Sequence, residues 1–392
     1  MATISNNIPH GYKATALGII PQEWEVKRLG EICTYFKSGE GITSKDISEN
    51  GQYPVYGGNG LRGYTDKKYT HDGAYILIGR QGALCGNINY VTDKCYISEH
   101  AIAVQAKGDL LWLRYKLDFW NLNRYSESSA QPGLSVEKLV RYKLTVPPMA
   151  EQRKIAEVLG VWDKAIEKQA RLIEKLALRK RGLMQRLLSA KLRLPGFSEP
   201  WKILHVADFA FEINTKNKSN SPYEVLSCTK YEGLVSSLKY FGKQIYSDDL
   251  STYKIVPKNR FAYATNHIEE GSIGYQSKYD QALISPMYTV FGTNPSLIND
   301  TFLYKLLKTQ KLIYIYKSRM EGSIDRRGGL RWNDFASIKI AVPSIEEQTA
   351  IAEVLTAADR EIELAKEKLE RLRRQKRGLM QQLLTGKKRV KY

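Results

Sequence analysis

The chain of 392 residues is long enough for two or three domains, and its 43% hydrophobic and 26% charged residues are typical of a folded soluble protein and argue against a disordered one. Lysine and arginine outnumber aspartate and glutamate by 60 to 41, which gives a formal net charge of +19. This excess favours a polyanion as partner, with a merely basic soluble protein as the alternative.

The cysteines and histidines predict no metal site or disulfide framework. Cys33, Cys85, Cys95 and Cys228 lack the C-x-x-C spacing, and the five histidines are scattered singly. The amino terminus has no charged segment followed by an apolar one, and no apolar run approaches the roughly 18 residues of a membrane span. We therefore expect a cytoplasmic protein.

Residues 1–145 predict a mixed α+β domain, with alternating stretches such as GAYILIGRQG followed by a helix in LLWLRYKLDFWNLNRY. Its glycine-rich loops are suited to DNA, because glycine lets the backbone approach and Arg, Asn and Gln present hydrogen-bonding groups to base edges. The candidate DNA-binding residues here are Asn59, Arg62, Lys67, Lys68, Arg80, Gln81, Ser129 and Gln131.

The next segment, residues 146–194, recurs without a gap at 342–390, with 24 of the 49 paired positions identical. Both copies repeat apolar residues at a 4,3 spacing over about 40 residues, which predicts two long helices with a coiled-coil seam. The expected seam and partner-docking positions are Ile155, Val158, Leu159, Trp162, Ile166, Leu183, Met184, Leu187, Ile351, Val354, Leu355, Ile362, Leu379, Met380 and Leu383.

The charges of the two helices predict antiparallel pairing. Beyond Glu174 and Glu370 every charged residue is basic, so parallel helices would place like charges together. Antiparallel pairing instead brings each basic carboxyl end to the acidic start of the other helix, where Glu151 and Glu347 lie. Ser344 and Glu347 also predict a capping box at the start of the second helix.

The apolar stripe on these helices is wider than a seam requires, because Val158, Met184, Val354 and Met380 extend it. We expect further helices from partners to pack there, and the alternative is that the variable domains cover these positions themselves. Gly182 and Gly378 each cost about 1 kcal/mol inside a helix. They therefore suggest either a break in each helix or a close neighbour.

Residues 195–341 repeat the plan of the first domain with little of its sequence: Gly271-Ser272-Ile273-Gly274-Tyr275 echoes Gly86-Asn87-Ile88-Asn89-Tyr90. The loop SRMEGSIDRRGGLRWND resembles a base-reading loop in its glycines and arginines. The candidate DNA-binding residues of this domain are Lys230, Asn266, Arg319, Arg326, Arg327 and Arg331.

Catalytic motifs are missing from the sequence. We find no F-x-G-x-G with an N-P-P-[YF] partner for adenine methylation and no G-x-x-x-x-G-K-[ST] for ATP. A nuclease motif at Glu25-Val26-Lys27 lacks the usual upstream acidic ligand, because the first aspartate is Asp46. We therefore expect a chain that has no catalytic site of its own and binds no cofactor or metal.

Several stretches resemble the DNA specificity subunit of type I restriction-modification systems over essentially the whole chain. They are IPQEWEVKRLGEI, YPVYGGNGLRGYT, VLSCTKYEGLV, and above all VPPMAEQRKIAEVL with RKRGLMQRLL and its copy VPSIEEQTAIAEVL with QKRGLMQQLL. The resemblance implies an α+β fold in which two mixed α/β target recognition domains are joined by an antiparallel coiled coil with pseudo-two-fold symmetry. The implied domains are recognition domain 1 at 1–145, helix 1 at 146–194, recognition domain 2 at 195–341 and helix 2 at 342–392.

The resemblance also implies a function and partners. Each recognition domain would read one half of a bipartite double-stranded DNA site, and the helices would set the spacer. Two modification subunits would supply S-adenosylmethionine and the methyl transfer, and two ATP-driven restriction subunits could join them. The alternatives are a self-contained DNA modification or restriction enzyme, and a coiled-coil scaffold that binds protein instead of DNA.

Overall fold

The computed structural model describes residues 8–82, 85–126, 133–321 and 329–391. The chain divides into two units, one made of Met1–Arg171 with Lys366–Tyr392 and the other of Leu172–Ala365. Each unit therefore contains one variable domain and a part of both repeated helices.

The first unit combines short strands with helices. Its described strands are β1 (Tyr12–Thr15), β2 (Gly18–Pro21), β3 (Glu25–Arg28), β4 (Cys33–Ser38), β5 (Tyr53–Gly57), β6 (Gly60–Thr65), β7 (Tyr75–Gly79), β8 (Ile88–Val91), β9 (Tyr96–Ile97), β10 (Ala101–Ala106) and β11 (Lys143–Val146). Its described helices are α1 (Leu29–Ile32), α2 (Leu110–Trp120) and α3 (Val136–Leu139), after which the chain enters the long helix α4 (Met149–Leu187).

The second unit follows the same plan. Its described strands are β12 (Lys202–His205), β13 (Ala210–Ile213), β14 (Leu226–Thr229), β15 (Gly233–Ser236), β16 (Lys254–Pro257), β17 (Arg260–Ala264), β18 (Ile273–Gln276), β19 (Gln281–Ile284), β20 (Tyr288–Thr293) and β21 (Lys339–Val342). Its described helices are α5 (Ser237–Phe241), α6 (Asp300–Leu307), α7 (Gln310–Glu321) and α8 (Trp332–Ala336), and the long helix α9 (Ile345–Leu383) follows.

The main sheets of the two units have the same topology. The order is β4-β10-β7-β8 in the first unit and β13-β20-β17-β18 in the second, with antiparallel neighbours throughout. The strands β7 and β17 are almost fully buried, because each lies inside its sheet and is apolar on both faces. The additional pairs β3-β11 and β12-β21 join the start of each variable domain to the strand that precedes its long helix.

A glutamine present in both copies of the repeat fixes each variable domain to the long helix that follows it. The Gln152 side chain accepts a hydrogen bond from the N–H of Asp109 (3.0 Å) at the start of α2 and donates to the carbonyl of Pro147 (2.9 Å). In the second unit Gln348 does the same with Asn299 (2.8 Å) and Pro343 (3.0 Å). The two copies of the repeat therefore hold their domains by one shared device.

The parts of α4 and α9 within each unit run antiparallel. In the first unit Lys376 pairs with Asp163 at 2.5 Å and Arg389 with Glu151 at 2.7 Å. The chain therefore moves towards the start of α4 as it moves towards the end of α9 and beyond it. The second unit shows the same order in the pairs Arg179–Glu361, Lys180–Asp359 and Arg193–Glu347. The antiparallel fold expected from the charges is confirmed.

Two local expectations are corrected. The Ser344 hydroxyl accepts from the N–H of Glu347 at 3.4 Å, but the Glu347 carboxylate binds Arg193 instead of completing a capping box. Gly182 and Gly378 lie inside unbroken helices, and no heavy atom of the described chain lies within 4 Å of a Cβ placed on either. Neither a helix break nor a close neighbour within the chain therefore explains them.

Within the described segments, none of the helices combines the length and the apolar character that crossing a membrane requires.

Candidate nucleic-acid interface

In the first unit the turn between β5 and β6 lies against the ends of β7 and β10. A Cβ placed on Gly58 would lie 2.9 Å from the carbonyl oxygen of His100 and 3.3 Å from the Cα of Gly79, which only a glycine allows. Gly60 has a φ of +95°, a conformation that glycine adopts readily. These glycines bring the exposed Asn59 beside the loops that follow β7 and precede β10.

Arg80 and Gln81 lie in the same place. The N–H of Arg80 donates to the carbonyl of His100 and its carbonyl accepts from the N–H of Leu134, both at 2.9 Å. The Gln81 Oε1 lies 3.0 Å from His100 Nδ1, and Gln81 forms a β-bridge with Gly133. We call Asn59, Arg80, Gln81 and His100 the first-unit cluster. Three loops thus meet at one end of the sheet.

Arg62 lies against the same turn, next to Gly57, whereas Lys67 and Lys68 follow at the far end of β6. A Cβ on Gly57 would meet the Arg62 Cδ at 2.6 Å, so the arginine side chain covers the base of the turn. Strand β6 then carries the chain away, and Lys67 pairs with Asp46 at 2.9 Å. Ser129 and Gln131 lie outside the described residues.

The second unit repeats this backbone arrangement with different side chains. The N–H of Leu330 donates to the carbonyl of Thr265 at 2.9 Å, as Leu134 does to Arg80. The Thr265 hydroxyl donates to the carbonyl of Met287 at 2.9 Å and contacts Asn266 Oδ1 at 3.3 Å. We call Thr265, Asn266 and Met287 the second-unit cluster. Asn266 and Met287 are exposed, the latter to 64%.

Lys230 lies in the turn between β14 and β15, next to an aromatic residue. Its carbonyl accepts a hydrogen bond from Lys308 Nζ at 3.2 Å, and its own Nζ lies 5.4 Å from the centre of the Tyr231 ring. Tyr231 is 84% exposed, an unusual position for a large ring. The exposed lysine and ring together suit contact with phosphate and with a base face.

Sequence reasoning missed His100 and Tyr231. Each is a single residue in a short turn, and only the structure shows that His100 contacts Gln81 and that the exposed Tyr231 ring lies beside Lys230. The one available signal for Tyr231 is the turn pattern Lys-Tyr-Glu-Gly between two apolar stretches.

The arginines of the second domain differ in their roles. The Arg319 guanidinium donates to the carbonyl of Asp334 and to Ser337 in and after α8, both at 2.5 Å, so it joins α7 to α8. Its place among the DNA-binding candidates stays a prediction. Arg331 is exposed at the start of α8. Arg326 and Arg327 lie outside the described residues.

The side chains described here offer little covalent chemistry. All four cysteines are free, and burial raises the pKa of Cys33 and Cys228 to about 12 and that of Cys95 to about 11, so they are protonated thiols at neutral pH. Among the described residues His267, Glu269 and Glu270 have ligand atoms within 4.8 Å of one another. His267 and Glu270 are exposed, and such groups are common at surfaces without a metal.

The positions expected at the seam and at the partner surface of the long helices differ in their burial. The described apolar cores include most of the predicted seam and docking positions, so these side chains pack inside each unit: Ile155, Val158, Leu159, Leu183, Met184, Leu187, Ile351, Val354, Leu355, Leu379, Met380 and Leu383. Met380, for example, is 5% exposed and Leu159 is 0% exposed. The variable domains themselves cover the fully buried part of the widened stripe, whereas Val158, Leu183, Met184, Val354 and Leu379 stay partly accessible. Trp162, Ile166 and Ile362 are half-buried.

Comparison with known proteins identifies the family. The model of the type I restriction modification DNA specificity domain matches residues 21–177 and 199–374. The chain is 42% identical to the type I restriction enzyme EcoprrI specificity subunit of Escherichia coli over 160 residues, which cover 39% of each chain. It is 25% identical to the MjaVIII specificity subunit of Methanocaldococcus jannaschii over 95% of this chain and 94% of that one.

A solved structure extends the likeness to the fold. The S subunit of a type I restriction-modification system from M. genitalium matches with a TM-score of 0.58 and 17% identity, covering 97% of this chain and 98% of that chain. The family model covers both variable domains and most of both long helices. The chain therefore belongs to the family of type I restriction-modification DNA specificity proteins and carries two specificity domains.

Proposed function

We propose that this chain is a non-catalytic specificity subunit that reads a bipartite double-stranded DNA site, one half with each unit. One observation carries the proposal. The hydrogen bond from Leu134 to Arg80 recurs as that from Leu330 to Thr265, yet the exposed side chains around the two differ. A shared backbone scaffold with different side chains is what two different half-sites require.

The side chains have the chemistry for DNA. In the first-unit cluster the Arg80 guanidinium and the side-chain amides of Asn59 and Gln81 can form paired hydrogen bonds with base edges. In the second unit Asn266 supplies the amide, and Lys230 and Arg331 supply charge for phosphates. Lys67 and Lys68, outside the cluster, suit phosphate contact at the other end of β6.

The proposal includes the domain division given above, with recognition domains at 1–145 and 195–341 and helices at 146–194 and 342–392. The helices would dock two modification subunits and two restriction subunits, which would bring S-adenosylmethionine and ATP. Exposed apolar side chains on the long helices support this docking. In the second unit Leu172 is 44%, Leu178 60% and Leu364 48% exposed, which is costly unless a partner covers them.

The experiment expresses the chain with its modification subunit in a host free of other adenine methylation and maps modified bases by single-molecule sequencing. We expect two half-sites separated by an unspecific spacer. Gln81→Ala should weaken recognition by about 1–3 kcal/mol at a base of one half-site only, and Asn266→Ala at a base of the other. Lys68→Ala, also exposed but outside the cluster, should leave the base preference unchanged.

Three outcomes would contradict this function. If both alanine variants alter the same half-site, the units do not divide the reading between them. If the chain alone transfers methyl groups, it is a self-contained enzyme. If its DNA binding is absent or independent of salt, the scaffold alternative holds, because contacts with DNA phosphates impose a steep salt dependence.

A further inference from the structure

The second unit contains a pocket of about 810 Å³ apart from the second-unit cluster. It is bounded by the carboxyl end of α4, the turn between α6 and α7, and strand β21. Its volume falls within the roughly 300–1,000 Å³ that is usual for small-molecule sites. We call it the basic pocket, because basic side chains and no acidic ones line it.

The floor of the basic pocket is apolar. Met184, Leu188, Leu306 and Ile340 line it together with Trp201. The Trp201 Nε1 has almost no accessible surface and no hydrogen-bond partner among the described residues, so Trp201 offers the pocket its ring and not its N–H. An aromatic ring beside aliphatic side chains suits the apolar body of an organic ligand.

The rim of the pocket is cationic. Arg181, Lys191, Lys308, Lys311 and Lys339 line it, no acidic residue does, and none of the five forms a side-chain ion pair within the described segments. Lys308 Nζ donates to the carbonyl of Lys230, and the other four have no such bond in the described structure. The first residues of α7, a helix of 12 residues, also line the pocket. Free N–H groups and the positive end of the helix dipole therefore add to the charges of these side chains.

The first unit fills the corresponding place with its own atoms. The offset of 196 pairs Leu188 with Leu384 and Ala341 with Thr145. There the buried Lys116 donates to the Thr145 hydroxyl at 2.9 Å and to the Leu384 carbonyl at 2.6 Å. Counted from the caps of α2 and α6, Lys116 corresponds to Leu306, which is shorter in reach and uncharged.

A hairpin covers the same region of the first unit. The Tyr12 hydroxyl at the start of β1 donates to the carbonyl of Gly386 at 3.0 Å, and Pro21 at the end of β2 approaches the same glycine. The second unit has no counterpart of the β1-β2 pair among its described strands. The pocket is thus a feature of one unit, which argues against a subunit that docks on both units alike.

We propose that the basic pocket binds an organic anion with an apolar or aromatic body, of the class of a nucleoside phosphate. The body lies on Trp201 and the leucines, and the anionic group lies at the start of α7 beside Lys311 and Lys339. This inference does not rest on the proposed reading of DNA, because the pocket shares no residue with the clusters assigned to it.

The test uses the full chain labelled with 5-fluorotryptophan, with the Trp201 and Trp24 fluorine signals assigned from Trp201→Phe and Trp24→Phe. AMP, adenosine, indole-3-acetate and inorganic phosphate are titrated at constant ionic strength. We expect AMP to shift the Trp201 signal saturably and leave that of Trp24 unchanged, with adenosine and phosphate at least tenfold weaker. Stronger binding of indole-3-acetate than of AMP would assign a carboxylate as the anionic group.

Two sets of variants locate the site. Lys311→Glu with Lys339→Glu should weaken AMP binding at least tenfold, whereas Lys202→Glu, on the neighbouring strand β12 and outside the pocket, should not. Leu306→Lys with Ala341→Thr copies the filled site of the first unit. It should abolish binding while the fluorine signals of the other tryptophans keep their folded positions.

Three outcomes would overturn the proposal. One is the absence of a saturable Trp201 shift with every probe. Another is an equal shift with inorganic phosphate alone, which would mean an adventitious ion only. The third is a Trp201 shift that appears solely when the modification subunit is added, which would make the pocket a subunit contact.

Discussion

The two units join their helices with the same residues of the repeat but surround them differently. Glu151, fully buried, binds Arg389 at 2.7 Å and also accepts from the Trp24 indole at 2.9 Å. Its counterpart Glu347, 2% exposed, binds Arg193 through both carboxylate oxygens at 2.6 and 2.8 Å. No indole reaches it, because the Nε1 of Trp201 is unpaired among the described residues.

The difference shows which part of the structure each segment determines. The repeat supplies the buried ion pair and the glutamine clamp in both units, and the variable domain decides what else touches them. Where the amino-terminal hairpin and Lys116 are present, the junction is filled. Where they are replaced by a short segment and Leu306, the junction keeps its ion pair and gains a pocket.

The largest expected effect comes from removing the arginines. Arg389→Ala should lower the free energy of unfolding of the first unit by about 3 kcal/mol, because a buried carboxylate loses its charged partner. Arg193→Ala should destabilise the second unit more, because Glu347 has no other side-chain donor in the described structure. Hydrogen exchange in the strand pairs β3-β11 and β12-β21 measures each unit separately.

Glu151→Gln combined with Arg389→Ala is the control, since it removes the charge that the single variant leaves unpaired. The double variant should recover part of the lost stability. A double variant less stable than Arg389→Ala would show that the ion pair is not the cause.

The tryptophans should have unequal effects. Trp24→Phe removes a hydrogen bond to a buried carboxylate and should cost about 2 kcal/mol. Trp201→Phe removes an N–H that bonds nothing in the described structure, so its cost should be much smaller. Thermal unfolding of the two variants side by side measures the difference, and equal losses would mean that Trp201 has an acceptor or that the Trp24 bond is weak.

The seam and the topology could be predicted from the sequence because they follow a repeated pattern. Lys180 and Lys376 stand at seam positions of the 4,3 spacing although both are polar. The structure explains them, because Lys180 pairs with Asp359 and Lys376 with Asp163 of the other helix. The pattern could not reveal what covers Val158 or Met380, because apolar periodicity records burial and not the covering element.

The candidate site was predictable only in part. Asn59, Arg80 and Gln81 lie together as glycine-rich loops suggested, but Lys67, in the same loop of the sequence, is carried away by β6. His100 enters the cluster through the turn between β9 and β10, which pairing across the sheet brings close. The basic pocket is invisible in the sequence, because it arises from a missing hairpin and one changed side chain.

Lys116 should give the first unit a pH dependence through a side chain that the second unit replaces by Leu306. Burial lowers its pKa to about 7 in the folded chain, so from about pH 7 up to its ordinary value of 10.5 the unfolded chain binds more protons. The free energy of unfolding should therefore rise with pH across this window. Below about pH 7 Lys116 is charged in the folded chain as well, so folding there carries the full cost of burying the charge.

Lys116→Leu with Thr145→Ala copies the second unit and removes this dependence. At pH 6 the variant should be more stable than the natural chain by about 1–2 kcal/mol, since replacing a buried charge by an apolar group is often stabilising. The advantage should shrink towards pH 10, which unfolding by urea at several pH values would measure. A difference that stays constant with pH would mean that Lys116 keeps its ordinary pKa.

The smallest effect concerns the glycines that the two copies share. A Cβ on Gly182 or Gly378 meets nothing within 4 Å in the described chain, so each Gly→Ala change should stabilise its helix by roughly 0.5–1 kcal/mol. Thermal unfolding of the chain alone measures this, with Ala177→Gly, an exposed position of α4, as the reverse control.

If the glycines are kept for a partner that packs against the bare backbone, both variants should be more stable alone and yet bind the modification subunit less tightly. Unchanged binding would leave the glycines without a role in assembly, and a loss of stability in one unit only would show that its helix is less open to solvent than its counterpart.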